Sequence, residues 1–527
     1  MTRRYYEWSV AASLAALVLA FYGCNGGGDS DEGPVPLTVP KAACGPNDKP
    51  ESGLQGQVPA ALRASGFQGF NCNLQLVAQY KGDGASWQHA WFQDKSGHKC
   101  NYYDTSISTA NRTHVGTVAL DASDPTNPTP TAYLTTQSML DPWESLKVNE
   151  RRQMLGAEYS VNGTGTGQLD LYDISNDCRS PQLISSVLTG SVQNGDAAVL
   201  PDGQTLAGHE GNFSPDGLTW YSGDRGTPKK YTATDISDPT HPKLLGLWAV
   251  PQKPPTTTTT HGLMVSDDGM RAYVSLAGVL GANVNLLTTQ PANGVLILDV
   301  SDFQKRVANP QFREVSEFLW NDGGQMQHTI LISIKGKPYV VAVEESSTGG
   351  NSAAGWQAAC NAGLPVFNMA RIIDVSDETS PKQTSRLMLE THDPANCSKV
   401  LPDLAGLSSF TYGSHYCSVD NRHDATTLAC GYFNSGIRVF DIRNPERPKE
   451  IAYYNPAGTT TASPGSNHNR SGGWVAGGPD WCNAQIRLDA ATASLQTTCQ
   501  DNGFLSLKFT NGAWPFPESS TPAGLQN

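Results

Sequence analysis

A short motif recurs six times along the chain and limits the folds that the chain can adopt. Each copy is an apolar strand pattern that ends in aspartate, runs into a proline turn and leads to a second alternating strand. The copies are VALDASDPTNP (118–128), LYDISNDCRSP (171–181), ATDISDPTHP (233–242), LILDVSDFQKRVANP (296–310), IIDVSDETSP (372–381) and VFDIRNPERP (439–448). The Asp or Ser side chain can accept hydrogen bonds from turn amides, and proline fixes φ where the ladder needs no donor.

The spacing of these copies predicts a β-propeller. Their aspartates fall at 121, 173, 235, 299, 374 and 441, which leaves room for a four-stranded antiparallel blade in each period. A composition of 52 Gly and 34 Pro with 16% charged residues also favours a turn-rich all-β fold.

A seventh unit at the C-terminal end has only three strand patterns, WCNAQIRLDAATASLQTTC supplying two and NGFLSLKFT one. The segment NLQLVAQY (73–80) can supply the fourth. We therefore predict a seven-bladed propeller of four-stranded antiparallel blades over residues 71–515. An N-terminal strand closes the ring, and residues 516–527 form a C-terminal tail.

The repeats resemble the LVIVD family of bacterial β-propeller proteins, whose hallmark is a strand ending in Asp-Val/Ile-Ser-Asp-Pro-x-x-Pro. DASDPTNP and DISDPTHP match it closely, whereas DIRNPERP replaces Ser-Asp with Arg443 and Asn444. The resemblance spans about residues 70–515. It implies the architecture and not one function, because members of a repeat family serve different ends.

The N-terminal segment predicts export. MTRRYYEW carries two arginines, SVAASLAALVLAF is apolar, and a small residue precedes Cys24. This pattern resembles the lipobox of bacterial lipoproteins, which implies a signal peptide at 1–23 and a lipid on Cys24. Residues 24–70 are then a flexible tether and N-terminal arm. Asn25 after that cysteine resembles the pattern of lipoproteins sorted to the outer membrane, and the lipid is the expected membrane contact.

Ten cysteines remain after Cys24, and an even number in an exported chain indicates disulfides. Cys417 and Cys430 straddle one hairpin turn, and Cys482 and Cys499 straddle another. Cys360 and Cys397 lie in two long loops and can join them. The partners of four cysteines stay open, namely Cys44, Cys72, Cys100 and Cys178.

Loop lengths distinguish the two faces of the predicted propeller. The face that carries the first-to-second and third-to-fourth strand turns has tight connections, and we call it the plain face. The long loops fall on the opposite, elaborated face, at 190–208, 276–293, 346–368, 391–413 and 455–480. We expect the elaborated face to bind a protein or an envelope polymer. A net charge of −13 without a basic cluster excludes nucleic acid as a partner.

Histidines recur eight residues before a hairpin glycine, at the predicted start of the strand nearest the axis. The pairs are His89 with Gly97, His209 with Gly217, His261 with Gly269 and His328 with Gly336, and His415 has the same register in the sixth blade. We predict a ring of these five histidines at the mouth of the axial channel. Trp143 and Trp481 lie near the equivalent places in the other two blades. The remaining histidines are expected at the surface, namely His98, His114, His241, His392, His423 and His468.

Two interpretations of the ring remain open. The histidines can tie neighbouring blades together in a non-catalytic binding protein. Alternatively, they can hold an iron or copper ion in a metal-dependent oxidoreductase, because imidazoles suit these metals. Glu210, Glu344 and Glu345 then orient the ligands or act as acid/base groups. No other cofactor or catalytic motif has the strand and helix context that it needs, so the sequence leaves enzyme activity and catalytic residues undecided.

Overall fold

The computed structural model describes residues 37–105, 113–161, 164–188, 208–223, 230–252, 257–279, 291–404, 407, 410–458 and 478–517. They belong to one compact unit, Pro36–Asn527. The predicted signal peptide, Cys24 and His468 lie outside the described residues. None of the helices in the described ranges is long and apolar enough to cross a bilayer.

Seven antiparallel sheets confirm the propeller, and each corresponds to one predicted blade. Blade 1 contains β3 (Ala90–Gln93), β4 (Lys99–Asp104), β5 (Thr117–Asp121) and β6 (Thr129–Leu134). Blade 2 contains β7 (Lys147–Asn149), β8 (Met154–Val161), β9 (Thr164–Asp173) and β10 (Gln182–Leu188). Blade 3 contains β11 (Glu210–Phe213), β12 (Thr219–Gly223), β13 (Lys230–Asp235) and β14 (Lys243–Ala249).

The next blades repeat this order, with the first strand of each nearest the axis. Blade 4 contains β15 (Thr257–Val265), β16 (Arg271–Val279), β17 (Asn293–Asp299) and β18 (Arg313–Trp320). Blade 5 contains β19 (Gln325–Ile334), β20 (Lys337–Glu345), β21 (Ala370–Asp374) and β22 (Lys382–Arg386). Blade 6 contains β23 (Ser414–Val419), β24 (Thr427–Tyr432), β25 (Gly436–Asp441) and β26 (Lys449–Asn455). Blade 7 contains β27 (Arg487–Asp489), β28 (Ser494–Cys499), β29 (Gly503–Phe509) and β2 (Leu74–Tyr80).

Short helices occupy the connections between these strands. The α-helices in the described ranges are Ala60–Ser65, Gln137–Leu140, Ser301–Gln304, Ala353–Asn361 and Cys397–Val400, and the 3-10 helices are Pro394–Asn396 and Leu401–Leu404. The longest, Ala353–Asn361, lies in a loop of the elaborated face. Its first turn is capped by the Ser352 side chain, which accepts a hydrogen bond from the Gly355 amide.

The turn chemistry of the repeats explains why they form tight connections. In all six copies the aspartate that ends the third strand accepts a hydrogen bond from the backbone amide two residues on, as Asp235 does from Ser237 at 2.9 Å. The four glycines of the histidine spacing adopt positive φ in first hairpin turns, from 70° at Gly217 to 89° at Gly97. These two devices set the strand register at the plain face.

The N-terminal strand closes the ring as predicted. Strand β2 pairs antiparallel with β29, from Leu74 opposite Phe509 to Tyr80 opposite Phe504. The structure adds a strand that the sequence analysis missed, because β1 (Phe70–Cys72) pairs with β26 and makes blade 6 five-stranded.

The described part of the N-terminal arm packs on the propeller, whereas the sequence predicts a flexible tether and arm over residues 24–70. Val39 and Val58 are buried, and the Val39 amide donates to the Met388 carbonyl at 2.9 Å. The fully buried Arg438 of β25 forms ion pairs with Glu51 of the arm and with Glu450 of β26. The arm therefore contributes a charged side chain and apolar packing to blade 6.

Five disulfides link the described cysteines. The three predicted pairs are confirmed, namely Cys417–Cys430, Cys482–Cys499 and Cys360–Cys397. The four cysteines left open pair as Cys44–Cys72 within the arm and Cys100–Cys178 between blades 1 and 2. Sequence spacing could not decide these pairs, because each joins segments that only the ring closure or blade stacking brings together.

Apolar side chains between neighbouring blades form the core. Val295 and Ile297 of blade 4 pack with Val340 and Ala342 of blade 5, and all four are buried. Burying each larger side chain of this kind contributes about 1.5–3 kcal/mol relative to exposure. The axis itself is lined differently, by polar and charged side chains.

Candidate metal centre in the axial channel

Three of the five predicted ring histidines meet in the channel. His209 directly precedes β11, while His261 lies in β15 and His415 in β23. At His261 and His415 the ladder register shifts, between Thr260 and Leu263 and between Ser414 and Cys417. Such bulges re-aim side chains at functional sites. Here they direct the imidazoles of blades 4 and 6 towards the one from blade 3.

Two carboxylates complete the cluster. Glu144 precedes β7 of blade 2, and Glu345 ends β20 of blade 5. Glu144 is 1% exposed, Glu345 and His209 are 2% exposed, and His261 and His415 are fully buried. Five consecutive blades, 2 to 6, therefore each contribute one buried acid or imidazole, and we call these five residues the axial cluster.

The ligand-type atoms of the axial cluster lie at coordination distances from one another. Glu144 Oε2 is 2.8 Å from His209 Nε2 and 3.3 Å from His261 Nε2, and these two nitrogens are 3.1 Å apart. The other oxygen, Glu144 Oε1, is 2.8 Å from His415 Nε2. Glu345 lies 3.4 Å from His261 Nε2 through Oε1 and 3.6 Å from His415 Nε2 through Oε2.

The separations suit a shared cation within each of two triads, Glu144 with His209 and His261, and Glu144 with Glu345 and His415. Ligand atoms about 2.1 Å from one ion are about 3.0 Å apart when adjacent in an octahedron and about 3.4 Å apart in a tetrahedron. Glu144 Oε2 lies beside both His209 Nε2 and His261 Nε2, so one ion can be shared by this oxygen and the two imidazoles.

The outer nitrogens of the histidines have partners that orient the rings. His261 Nδ1 is 3.1 Å from Glu210 Oε2, and Glu210 Oε1 accepts a hydrogen bond from Lys147 Nζ at 3.1 Å. His415 Nδ1 is 2.9 Å from the Asn483 carbonyl oxygen. Once an ion displaces the proton from Nε2, these partners hold each ring with Nε2 towards the cluster, as in carboxylate–histidine–metal arrangements.

Electrostatics in the cluster favour charged forms despite burial. Burial opposes a charge on His261, yet Glu144, Glu210 and Glu345 raise its pKa to about 9. Burial likewise opposes a charge on His415, and Glu144 and Glu345 raise its pKa to about 9. For Glu144, burial is outweighed by His261 and His209, so its pKa lies well below the usual range. The charged rings of His261 and His415 and the Lys147 ammonium therefore balance the three carboxylates, and an ion that binds here must displace protons from the two histidines.

His89 and His328 are not part of the axial cluster, which corrects the predicted ring of five. His89 bridges blades 7 and 1, with Nδ1 3.0 Å from the Gln485 carbonyl oxygen and Nε2 2.9 Å from Asn101 Oδ1. His328 Nε2 is 3.3 Å from the Cys417 carbonyl oxygen. Burial lowers the pKa of His89 to about 4 and that of His328 to about 3.

The position of the bulge explains why His328 differs from His261. In blade 5 the register shift lies between Met326 and His328, so Gln327 is the unpaired residue and His328 returns to the ladder opposite Val343. A shift of one residue moves a side chain to the other face of a strand. Equal spacing to a hairpin glycine therefore does not guarantee an equal direction.

Glu344 also faces away from the axial cluster. Its side chain is buried within blade 5, where it accepts hydrogen bonds from Arg371 Nε at 3.0 Å and from the Met369 amide at 3.1 Å. Burial raises its pKa. Successive residues of a strand point to opposite faces, so Glu345 and not Glu344 reaches the channel.

The structure also corrects one histidine that the sequence predicts at the surface. His392 is fully buried, its Nε2 is 3.1 Å from the Tyr412 carbonyl oxygen, and burial lowers its pKa to about 4. It lies in a loop that packs inward against Phe367 and Tyr432. Of the others, His114, His241 and His423 are exposed and His98 is half-buried against Asp94.

Glu144 is the ligand-type residue that the sequence analysis missed. Blade 2 lacks the hairpin glycine of its neighbours, and Gln153 takes the positive φ of 54° in that turn instead. The eight-residue spacing therefore could not be applied there. Only the order of the blades, with one polar residue expected at the start of each inner strand, could have indicated it.

A cluster of aromatic side chains borders the axial cluster on the side of the elaborated face. Trp87 lies 5.2 Å from His415 and 5.1 Å from Trp143, measured between ring centroids. Phe433 lies 4.9 Å from Trp481, whose indole nitrogen donates to Asn434 Oδ1 at 3.0 Å. The predicted channel neighbours Trp143 and Trp481 thus belong to an apolar layer beside the axial cluster.

The comparisons with known proteins agree with the fold. Residues 230–249 match the LVIVD repeat model, which covers the third copy of the motif and the strand after it. The comparison with curated proteins gave no match.

Solved structures with a similar fold include one from Bacteroides uniformis and one from Myceliophteria thermophila. One, titled as a candidate 6-phosphogluconolactonase from Bacteroides uniformis, is 12% identical, with a TM-score of 0.48 over 78% of this chain and 92% of that chain. The other is the Cps50 (Swd1) propeller domain of Myceliophteria thermophila, 9% identical, with a TM-score of 0.46 over 82% and 98% of the chains. Neither likeness carries a functional argument.

Proposed function

We propose that this propeller is a metal-dependent oxidoreductase that binds one transition-metal ion in the axial cluster of His209, His261, His415, Glu144 and Glu345. The observation that carries the proposal is the pair of buried triads that share Glu144, one with His209 and His261 and one with His415 and Glu345, each with ligand atoms close enough to hold an ion.

The donor set favours iron over copper. Imidazole suits iron, copper and zinc, while carboxylates favour harder ions, and none of the five residues supplies the soft sulfur that selects Cu(I). A redox-active ion bound there would exchange electrons with a substrate. The protein's own groups orient the ligands through Glu210 and exclude water with the aromatic layer around Trp87.

Elemental analysis of the purified protein tests the proposal. Protein prepared from a periplasmic fraction with iron, copper, manganese and zinc present should carry about one ion per chain. The variants H261A and E144Q should lose it. H328Q is the matched control, because His328 is a buried channel histidine outside the axial cluster, and it should keep the ion. A metal-free wild-type protein would show that the cluster is a hydrogen-bonded network of acids and imidazoles.

The alternative is a non-catalytic binding module, and one observation favours it. On the elaborated face the disulfide Cys360–Cys397 joins helix Ala353–Asn361 to the long loop 391–413. The two segments together present a fixed surface to a protein or envelope polymer. Deleting 353–361 should abolish capture of such a partner without changing metal content. Loops 190–207, 280–290 and 459–477 lie outside the described residues.

The proposed location is the bacterial envelope, with a lipid on Cys24 anchoring the propeller, in the outer membrane by the resemblance of Asn25. The N-terminal sequence pattern supports it. The variant C24S should shift the protein from the membrane fraction to the soluble fraction. Unchanged fractionation of C24S would contradict the lipid anchor.

A further inference from the structure

A cavity separate from the axial cluster lies on the plain face, at the first hairpin turns of blades 2, 3, 4 and 6. Its volume is about 550 Å³, within the range of small-molecule sites. The turns approach one another closely, since Asn149 Nδ2 donates to the Ser214 carbonyl at 3.1 Å. The cavity contains no residue of the axial cluster, so a ligand can bind there whether or not the cluster holds a metal ion.

Arg422 is the residue that gives this cavity a chemical preference. It is 7% exposed, and its side chain donates to Asp267 Oδ1 through one terminal nitrogen at 2.8 Å. Its other terminal nitrogen reaches only Met264 Sδ, at 3.8 Å, and its Nε has no hydrogen-bond partner among the described residues. A guanidinium has five donors and binds carboxylates side-on through two of them. Arg422 therefore has one buried nitrogen, Nε, without a hydrogen-bond partner among the described residues, and one terminal nitrogen whose acceptor is a weak thioether sulfur.

The rest of the cavity combines apolar walls with a mixed rim. Phe213, Met264 and Val148 are buried and line the interior. The other charged or titratable groups of the lining are Glu150, Arg151, Asp267 and His423. Asp267 has a side chain that is 52% exposed, so it can turn to water and release Arg422 to a competing anion.

We infer that the plain-face cavity binds a small carboxylate with an apolar body, its carboxylate on Arg422 and its apolar part against Phe213 and Met264. The pairing follows from the two properties of the wall. A buried guanidinium with unused donors selects an anion, and the apolar surface beside it excludes a fully hydrated one. Binding of this carboxylate is separate from the proposed metal chemistry.

Calorimetric titration with octanoate tests the inference, with octanamide as its neutral counterpart. Octanoate should bind the full exported chain at millimolar concentration, and octanamide should bind at least about tenfold more weakly. R422Q should weaken octanoate by about tenfold or more. H241Q, which changes an exposed histidine outside the cavity lining, should leave it unchanged, and so should the axial variant H261A.

The variant D267N separates a ligand-binding Arg422 from a purely structural one. If Asp267 only competes for Arg422, D267N should bind octanoate at least as tightly as the wild type. The inference is overturned if octanoate does not bind, if octanamide binds equally well, or if R422Q binds octanoate as the wild type does. Should R422Q not fold, the comparisons with octanamide and D267N decide the matter.

Discussion

Glu210 controls how His261 presents its nitrogen to the axial cluster. It lies between His261 Nδ1 and Lys147 Nζ, at 3.1 Å from each, and all three side chains are buried. Second-layer carboxylates of this kind fix the tautomer and angle of a ligand histidine. Glu210 is therefore a positioning residue in our account, and the five cluster residues are the ligands.

We predict that E210Q lowers metal affinity by about 10–100-fold without abolishing binding. The amide cannot hold the proton on His261 Nδ1 as a carboxylate does. Competition with a chelator measures the affinity. E378Q is the control and should not change the affinity. Glu378 accepts hydrogen bonds from Arg271 and Tyr273 at the plain face, away from the axial cluster. Equal affinities for E210Q and the wild type would contradict the role.

The buried neutral histidines predict a dependence of stability on pH. In the folded protein the pKa of His89 and of His392 is about 4, because burial disfavours the charged ring. In the unfolded chain the pKa is about 6.5, so the unfolded state binds more protons between these values. The stabilisation is complete above pH 6.5 and is lost as the pH falls towards 4, on the order of 3 kcal/mol for each residue.

Urea unfolding between pH 7 and 4.5 tests this dependence. H392Q should reduce the loss of unfolding free energy across that range relative to the wild type. H241Q is the control, because His241 is exposed at the surface. A wild-type slope in H392Q would contradict the assignment of a neutral, buried His392.

The histidine–glycine spacing also shows how far individual site residues can be predicted from sequence. The eight-residue spacing correctly located four first hairpin turns, because glycine meets the positive φ that these turns require. It did not distinguish His261 from His328, because that difference depends on which residue the bulge leaves unpaired. It passed over Glu144, whose blade uses Gln153 in place of glycine.

At the scale of elements, the N-terminal arm is held to blade 6 by charge as well as by strand β1. Arg438 is fully buried between Glu51 and Glu450, and Gln55 Nε2 donates to Glu450 Oε2 at 2.9 Å. Opposing charges offset the burial of Arg438 and raise its pKa. Removing one partner of such a group leaves the others buried without compensation.

We predict that R438M lowers the free energy of unfolding by about 3–5 kcal/mol, because Glu51 and Glu450 lose their buried counter-charge. Denaturant unfolding measures the change. R443M is the matched control, since Arg443 pairs with Asp441 in a partly exposed position, and it should cost at most about 1 kcal/mol. Similar losses in the two variants would show that burial of Arg438 is not decisive.

Strands were predicted correctly where the apolar strand pattern extended over enough residues to be recognised. Strand β2 has seven residues and alternates, which made its unpaired pattern visible at the N-terminal end. Strand β1 has three residues and no measurable period, so only its partner β26 reveals it.

At the scale of the whole molecule, β2 closes the ring by covering the edge of β29. Replacing residues 74–80 by a Gly/Ser linker of equal length should therefore abolish cooperative unfolding and cause aggregation. Appending residues 73–80 after Gly512 of that variant should restore cooperative unfolding and prevent aggregation, since Leu74 pairs opposite Phe509. Calorimetry of the two chains tests this prediction, and a cooperative, monomeric linker variant would contradict it.

The propeller could be predicted from sequence because six copies of one turn specify one blade each. The axial cluster could be predicted only in part, since its five residues come from five blades and successive members are 52 to 84 positions apart along the chain. Their meeting depends on ring closure and on local bulges, which no single stretch of sequence contains.

Anomalous diffraction from crystals grown with iron(II) tests directly whether the axial cluster binds an ion. Data collected on both sides of the iron absorption edge should show one peak within about 2.0–2.3 Å of the Glu144 carboxylate and of the ligand atoms of one triad, either His209 with His261 or His415 with Glu345. Absence of a peak at that point, with the five side chains joined only to one another, would contradict the metal centre.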